Sequence, residues 1–124
     1  MKLKTLKDYP CAPGVDCNDW DKMDANIHTI AKFFIGYAEA RGLRVFFTSL
    51  IRNKDDYSKS DTHQTGRAFD VSTKGWTVKE INDCVEYLNV VCANIGAITA
   101  SGKIVVALWH DVKGLHLHCQ CRRS

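Results

Sequence analysis

The segment Leu115-His-Leu-His-Cys-Gln-Cys121 alternates apolar and polar side chains without a break. In a β-strand successive side chains point to opposite faces. Leu115, Leu117, Cys119 and Cys121 therefore share one face, and His116, His118 and Gln120 share the other. A strand of this kind offers one face to a core and sets two imidazoles side by side on a polar face.

The rest of the chain supplies elements to pack against it. In residues 19–41 Met23, Ile27, Ile30, Ala31, Phe34, Tyr37 and Ala38 recur at helical spacing, and Gly42 stands where a C-terminal cap belongs. Residues 44–49, with Val45, Phe46, Phe47 and Thr48, read as a strand, and residues 53–64 as a polar surface loop with His63 near its end. Residues 68–71 resume strand character. Thr77 and Glu80 form a capping box for a second helix, whose stripe is Ile81, Cys84, Val85, Leu88, Val91, Cys92 and Ile95, with Gly96 ending it. A short strand over 96–99, a turn at Ser101-Gly102 and strands over 103–110 and 115–121, joined by a turn at Lys113-Gly114, complete the order. Helix, strand, strand, helix and a meander predict an α+β fold, an antiparallel sheet with helices packed on one face.

Length sets the scale: 124 residues form one domain with a packed core, and residues 1–18 read as an N-terminal extension carrying Cys11 and Cys17. Hydrophobic content of 45% with 25% charged residues excludes disordered, collagen-like and fibrous chains. A net charge of +3, partly from Lys2, Lys4, Lys7, Arg122 and Arg123 at the two ends, is a weak pull toward an anionic polymer; no nucleic-acid partner is expected. Positive residues at the start run into Cys-Ala-Pro-Gly rather than an apolar stretch, so no secretory signal is expected. No run of apolar residues is long enough to span a membrane, and stable membrane insertion is not expected. The six cysteines match no zinc-ribbon or finger spacing; Cys84 and Cys92 read as small core residues on a helix. Cys11 and Cys17 bracket a Pro-Gly turn and could close a disulfide loop in an oxidising compartment or bind a metal.

The residues with chemical potential are His63 and Asp70, with the His116/His118 pair. A His-x6-Asp pair arises often by chance, and a His-x-His on a strand can be a solvated face. If the strand bearing Asp70 neighbours the late strand, two histidines and a carboxylate meet, a three-ligand zinc set whose fourth position is left to water in catalytic sites. The full string Asp61-Thr-His63-Gln-Thr-Gly66-Arg-Ala68-Phe-Asp70 is more specific: Gly66 permits a turn back toward the strand, and Ala68 leaves room beside a metal.

That string resembles the zinc D-Ala-D-Ala carboxypeptidases and L-Ala-D-Glu endopeptidases of peptidoglycan, many of them phage endolysins, whose pattern is Ser-x-His-x-x-Gly-x-Ala-x-Asp followed by a late histidine. His63, Gly66, Ala68 and Asp70 fall in register, His118 matches the late histidine, and Arg52 matches the arginine placed before the loop to bind a substrate carboxylate or carbonyl. The resemblance spans residues 43–121 and implies the hedgehog/DD-peptidase fold, with Zn²⁺ held by His63, Asp70 and His118. It departs at Asp61, where the family has serine, and at Leu115, where many members carry an acid. A zinc hydrolase needs a group that takes a proton from water and returns one to the leaving amine; Asp111 and His116 are the candidates, and His110 competes with His116 for the ligand role. Trp76, Trp109 and Tyr57 read as rim residues.

The resemblance thus implies a monomeric zinc metallopeptidase acting on a peptidoglycan stem peptide. It would be made in the cytoplasm and act at the bacterial wall after release from a phage-infected cell. The alternative is a noncatalytic zinc-containing domain of the same fold that binds peptidoglycan or serves structure.

Overall fold

The computed structural model describes residues 4–51, 62–111 and 115–124, with the backbone alone at 110, 111 and 115. Arg52, Tyr57, Asp61 and the turn at Lys113-Gly114 lie outside the described residues, as do the side chains of His110, Asp111 and Leu115.

Helix α1 runs over Ala25–Ala40, shorter than its periodicity predicts, because Asp24 caps it by accepting from the Asn26 amide. The preceding residues Cys17–Lys22 wind instead as a 3-10 helix capped by Asp16, which drops the Trp20 side chain into the core. Strand β1 (Phe47–Ser49) leads to β2 (Ala68–Ser72), and α2 spans Val78–Val91. The predicted capping box at its start is formed: the Thr77 hydroxyl accepts from the Glu80 amide and the Glu80 carboxylate from the Thr77 amide.

The predicted strand over 103–110 is two strands in two sheets. Strand β3 (Ala97–Ile98) pairs antiparallel with β4 (Ile104–Val105), and beyond the buried corner at Val106, β5 (Ala107–Asp111) joins β6 (Leu115–Gln120). The main sheet is antiparallel, in the order β1-β2-β6-β5. The corner is held by Asn89 of α2, whose side-chain oxygen accepts from the Val106 and Ala107 amides while its nitrogen donates to the Val85 and Ala107 carbonyls. Gly96 does not cap α2; it lies at φ −66°, after a 3-10 turn over Ala93–Ile95. A Cβ there would lie 2.8 Å from methyls of both Ile104 and Val106, so its lack of a side chain lets the second ribbon close.

The alternation in β6 sorts as expected: Leu117 and Cys119 are fully buried in one core with the stripes of both helices. Phe34 of α1, Phe47, Phe69 and Trp20 form an aromatic cluster with neighbouring ring centroids 5.1–6.5 Å apart. Trp76 belongs to that core rather than to a rim: its ring stacks on Phe34, and its indole nitrogen donates to the Arg44 carbonyl. Trp109 also packs partly buried against it. Cys84 and Cys92 are buried thiols, as predicted, whereas Val91 at the end of α2 turns outward. Cys11 and Cys17 form a disulfide, their Cα atoms 6.4 Å apart, and Cys11 bridges to Phe47 of β1. No helix among the described residues is long and apolar enough to cross a membrane.

Candidate metal centre

The site is assembled by strand register. Strands β2 and β6 pair with Asp70 opposite His118 and Ala68 opposite Gln120, so the face that the core does not use carries the carboxylate and the imidazole together. His63 arrives from the turn ahead of β2. Gly66 makes that turn at φ +70°, and a Cβ there would lie 3.1 Å from the Met23 backbone; its carbonyl accepts from the Asp24 amide at the start of α1. The Arg67 amide closes the turn on the Thr62 carbonyl at 2.7 Å. Immediately after β1, the Leu50 carbonyl meets His63 Nδ1 at 2.8 Å.

One donor atom each from His63, Asp70 and His118 lies within 4.8 Å of the others, and all three residues are buried. His118 Nδ1 is 2.8 Å from Asp70 Oδ1, and His63 Nε2 is 3.2 Å from Asp70 Oδ2. The far nitrogens are also engaged: His63 Nδ1 faces the Leu50 carbonyl, and His118 Nε2 faces Gln120 Oε1 at 2.9 Å. Each ring thus has acceptors at both nitrogens, although a neutral imidazole carries only one proton. The conflict resolves in two ways. Either both rings are imidazolium beside one buried carboxylate, or a cation stands between the near nitrogens and Asp70 while the far nitrogens keep their protons. The second places no doubly protonated ring in a buried site, where ionic groups are costly to desolvate.

Burial pushes the Asp70 carboxyl up, but hydrogen bonds from His118 and His63 and their positive charge outweigh it, and the group is held well below the usual carboxylate range. Asp70 is therefore an anion throughout the neutral range. Two imidazoles and a carboxylate, each ring oriented through its second nitrogen, are a set that can hold a metal ion.

The three residues named from sequence as metal ligands are thus brought together. His116 lies on the same face with Nε2 3.6 Å from Asp70 Oδ2, but it is not among the three residues whose donors converge. Its side chain is 14% exposed, against 8% or less for the three, which places it at the mouth of the site. Arg52 and the Asp111 side chain lie outside the described residues, so their distance from the cluster is not part of this geometry. The His110 backbone pairs with His116 in register. Two groups have no place in the ligand pattern, the Leu50 carbonyl and Gln120. Gln120 is visible in sequence as a third member of the imidazole face; the Leu50 carbonyl has no side-chain signature at all. A separate cleft of about 850 Å³ between the N-terminal segment and α1 is lined by Tyr9, Trp20, His28 and Lys32, and by none of the metal-site residues.

Comparison with protein-family models, with curated proteins and with solved structures finds no match for this chain. The α+β fold and the His63-Asp70-His118 cluster therefore stand on the chain's own residues.

Proposed function

We infer that this chain is a zinc-dependent peptidase that cleaves an amide bond in the stem peptide of peptidoglycan, serving as a phage lysis enzyme. One observation carries the reading: three buried donors converge, and each imidazole has an acceptor behind it that can take its N–H when a cation stands in front. The resemblance of the His63 to Asp70 string to the peptidoglycan peptidases supplies the substrate class. Zinc bound there supplies a Lewis acid for the amide carbonyl and lowers the pKa of water. Asp70 would contribute negative charge, and the Leu50 carbonyl and Gln120 Oε1 would accept the remaining N–H of His63 and His118. His116, at the mouth, would accept a proton from the attacking water and return it to the leaving amine; Asp111 is the other candidate for that duty. Arg52 would bind a carboxylate or carbonyl of the substrate.

The rival reading, a noncatalytic zinc-containing domain, is favoured by Leu115, which stands where many members of that family carry an acid. Metal content and digestion of purified peptidoglycan, measured on one sample with mass analysis of the fragments, separate the two. One zinc per chain and new amine and carboxyl ends at one stem-peptide bond are expected, and the fragment masses tell carboxypeptidase from endopeptidase. Zinc without cleavage would leave the noncatalytic domain.

A further inference from the structure

We propose that Gln120 is a positioning residue for the metal centre, setting which nitrogen of His118 is presented to the metal. Its side-chain oxygen lies 2.9 Å from His118 Nε2, and its side-chain nitrogen donates to the Val105 carbonyl at 3.4 Å. An amide has one donor end and one acceptor end. With the nitrogen turned to a carbonyl, the oxygen must face His118 and can only accept. With a cation in the site the proton of His118 is thereby held on Nε2, and Nδ1, 2.8 Å from Asp70 Oδ1, is the nitrogen turned to the metal.

Gln120 is itself immobilised. It is buried, its backbone amide donates to the Val106 carbonyl at 2.7 Å, and the Val106 amide donates to Asn89 of α2 at 2.8 Å. The acceptor is therefore held from the second helix through the sheet corner, and a residue outside the ligand set determines the protonation pattern inside it. Leu50 does the same for His63, but through a backbone carbonyl that no substitution removes. Gln120 is the accessible lever.

The inference rests on the metal-site reading and is independent of the peptidase reading. The test uses the full chain with Gln120→Met, which keeps length and removes the acceptor, and Gln120→Glu, which keeps an acceptor and loses the long bond to Val105. Zinc affinity is read by competition with a chromophoric chelator, and the proton position on His118 by ¹⁵N–¹H correlation of the imidazole. Gln120→Met is expected to weaken zinc binding about 10- to 100-fold, Gln120→Glu to restore it to near the wild-type value, and the wild-type ring to show its proton on Nε2. Equal zinc affinity in all three chains, or a wild-type His118 proton on Nδ1, would overturn the inference. A wild-type chain that binds no zinc would refute the metal reading. If Gln120→Met failed to fold, the proton position in the zinc-bound wild-type chain would still decide the role of Gln120.

Discussion

At the residue scale the decisive chemistry is the placement of protons. His63 and His118 each have an acceptor behind the ring and Asp70 in front, so substituting either ring removes a ligand and leaves a buried carboxylate short of a partner. His63→Ala and His118→Ala are expected to abolish zinc binding and peptidoglycan cleavage together, measured as metal content and fragment release on the same preparation. His116 differs because it stands beside the cluster. His116→Ala is expected to keep one zinc per chain and to lower kcat by about 10²- to 10⁴-fold, the range for loss of a general acid–base group. Loss of zinc from His116→Ala would make it a ligand. Full activity with zinc retained would pass the proton duty to Asp111.

At the element scale the site depends on two joints, one legible in the His63 to Asp70 string and one invisible as a motif. Gly66 turns the chain at φ +70° with its Cα hydrogen against the Met23 backbone, and His63 belongs to the same turn. Gly66→Ala must adopt a left-handed conformation, costing roughly 1–2 kcal/mol, and press on backbone that has little room. The expected outcome is a lower Tm together with weaker zinc binding, the second because His63 shifts. Asn89 is the other joint. Three of its hydrogen bonds satisfy the backbone where the chain passes from the β3/β4 ribbon into the main sheet, at Val106 and Ala107, both buried. Asn89→Leu leaves those amides unpaired and is expected to destabilise the fold by about 3 kcal/mol, since each buried unsatisfied group costs roughly 1–3 kcal/mol. The shift in urea midpoint at unchanged slope measures it.

At the scale of the whole molecule, one core receives both helices and the apolar face of the sheet, and thiols are built into it. Burial pushes Cys84 and Cys121 up to about 12, and Cys119 is raised well above its ordinary value by burial and by the neighbouring Cys84 and Asp70. In the unfolded chain the same thiols ionise near pH 9. Above that pH the unfolded state sheds protons that the folded state keeps, so stability present below about pH 9 is lost as pH rises toward 12. Thermal melts across that window are expected to show a falling Tm. Replacing Cys84 or Cys121 with Ala is expected to flatten the fall, whatever its effect at neutral pH. A Tm independent of pH across the window would contradict the burial of these thiols.

By itself the sequence determined the local facts. The alternation over 115–121 sorted core face from imidazole face, the Thr77/Glu80 box set the start of α2, and the His63 to Asp70 string, with His118, named the three residues that converge. These are legible because period, caps and short-range turns are properties of neighbours in the chain. Only the tertiary structure decided the rest: that β2 pairs with β6 in the register that sets Asp70 against His118, that residues 103–110 divide between two sheets at Val106, and that Trp76 is core. It also showed what stands behind each ring, a backbone carbonyl at Leu50 and an amide at Gln120. The physical reason is one of distance. Strand register and hydrogen-bond partners far apart in the chain are chosen by how the whole core packs, and a carbonyl at Leu50 reads the same in sequence wherever its oxygen points.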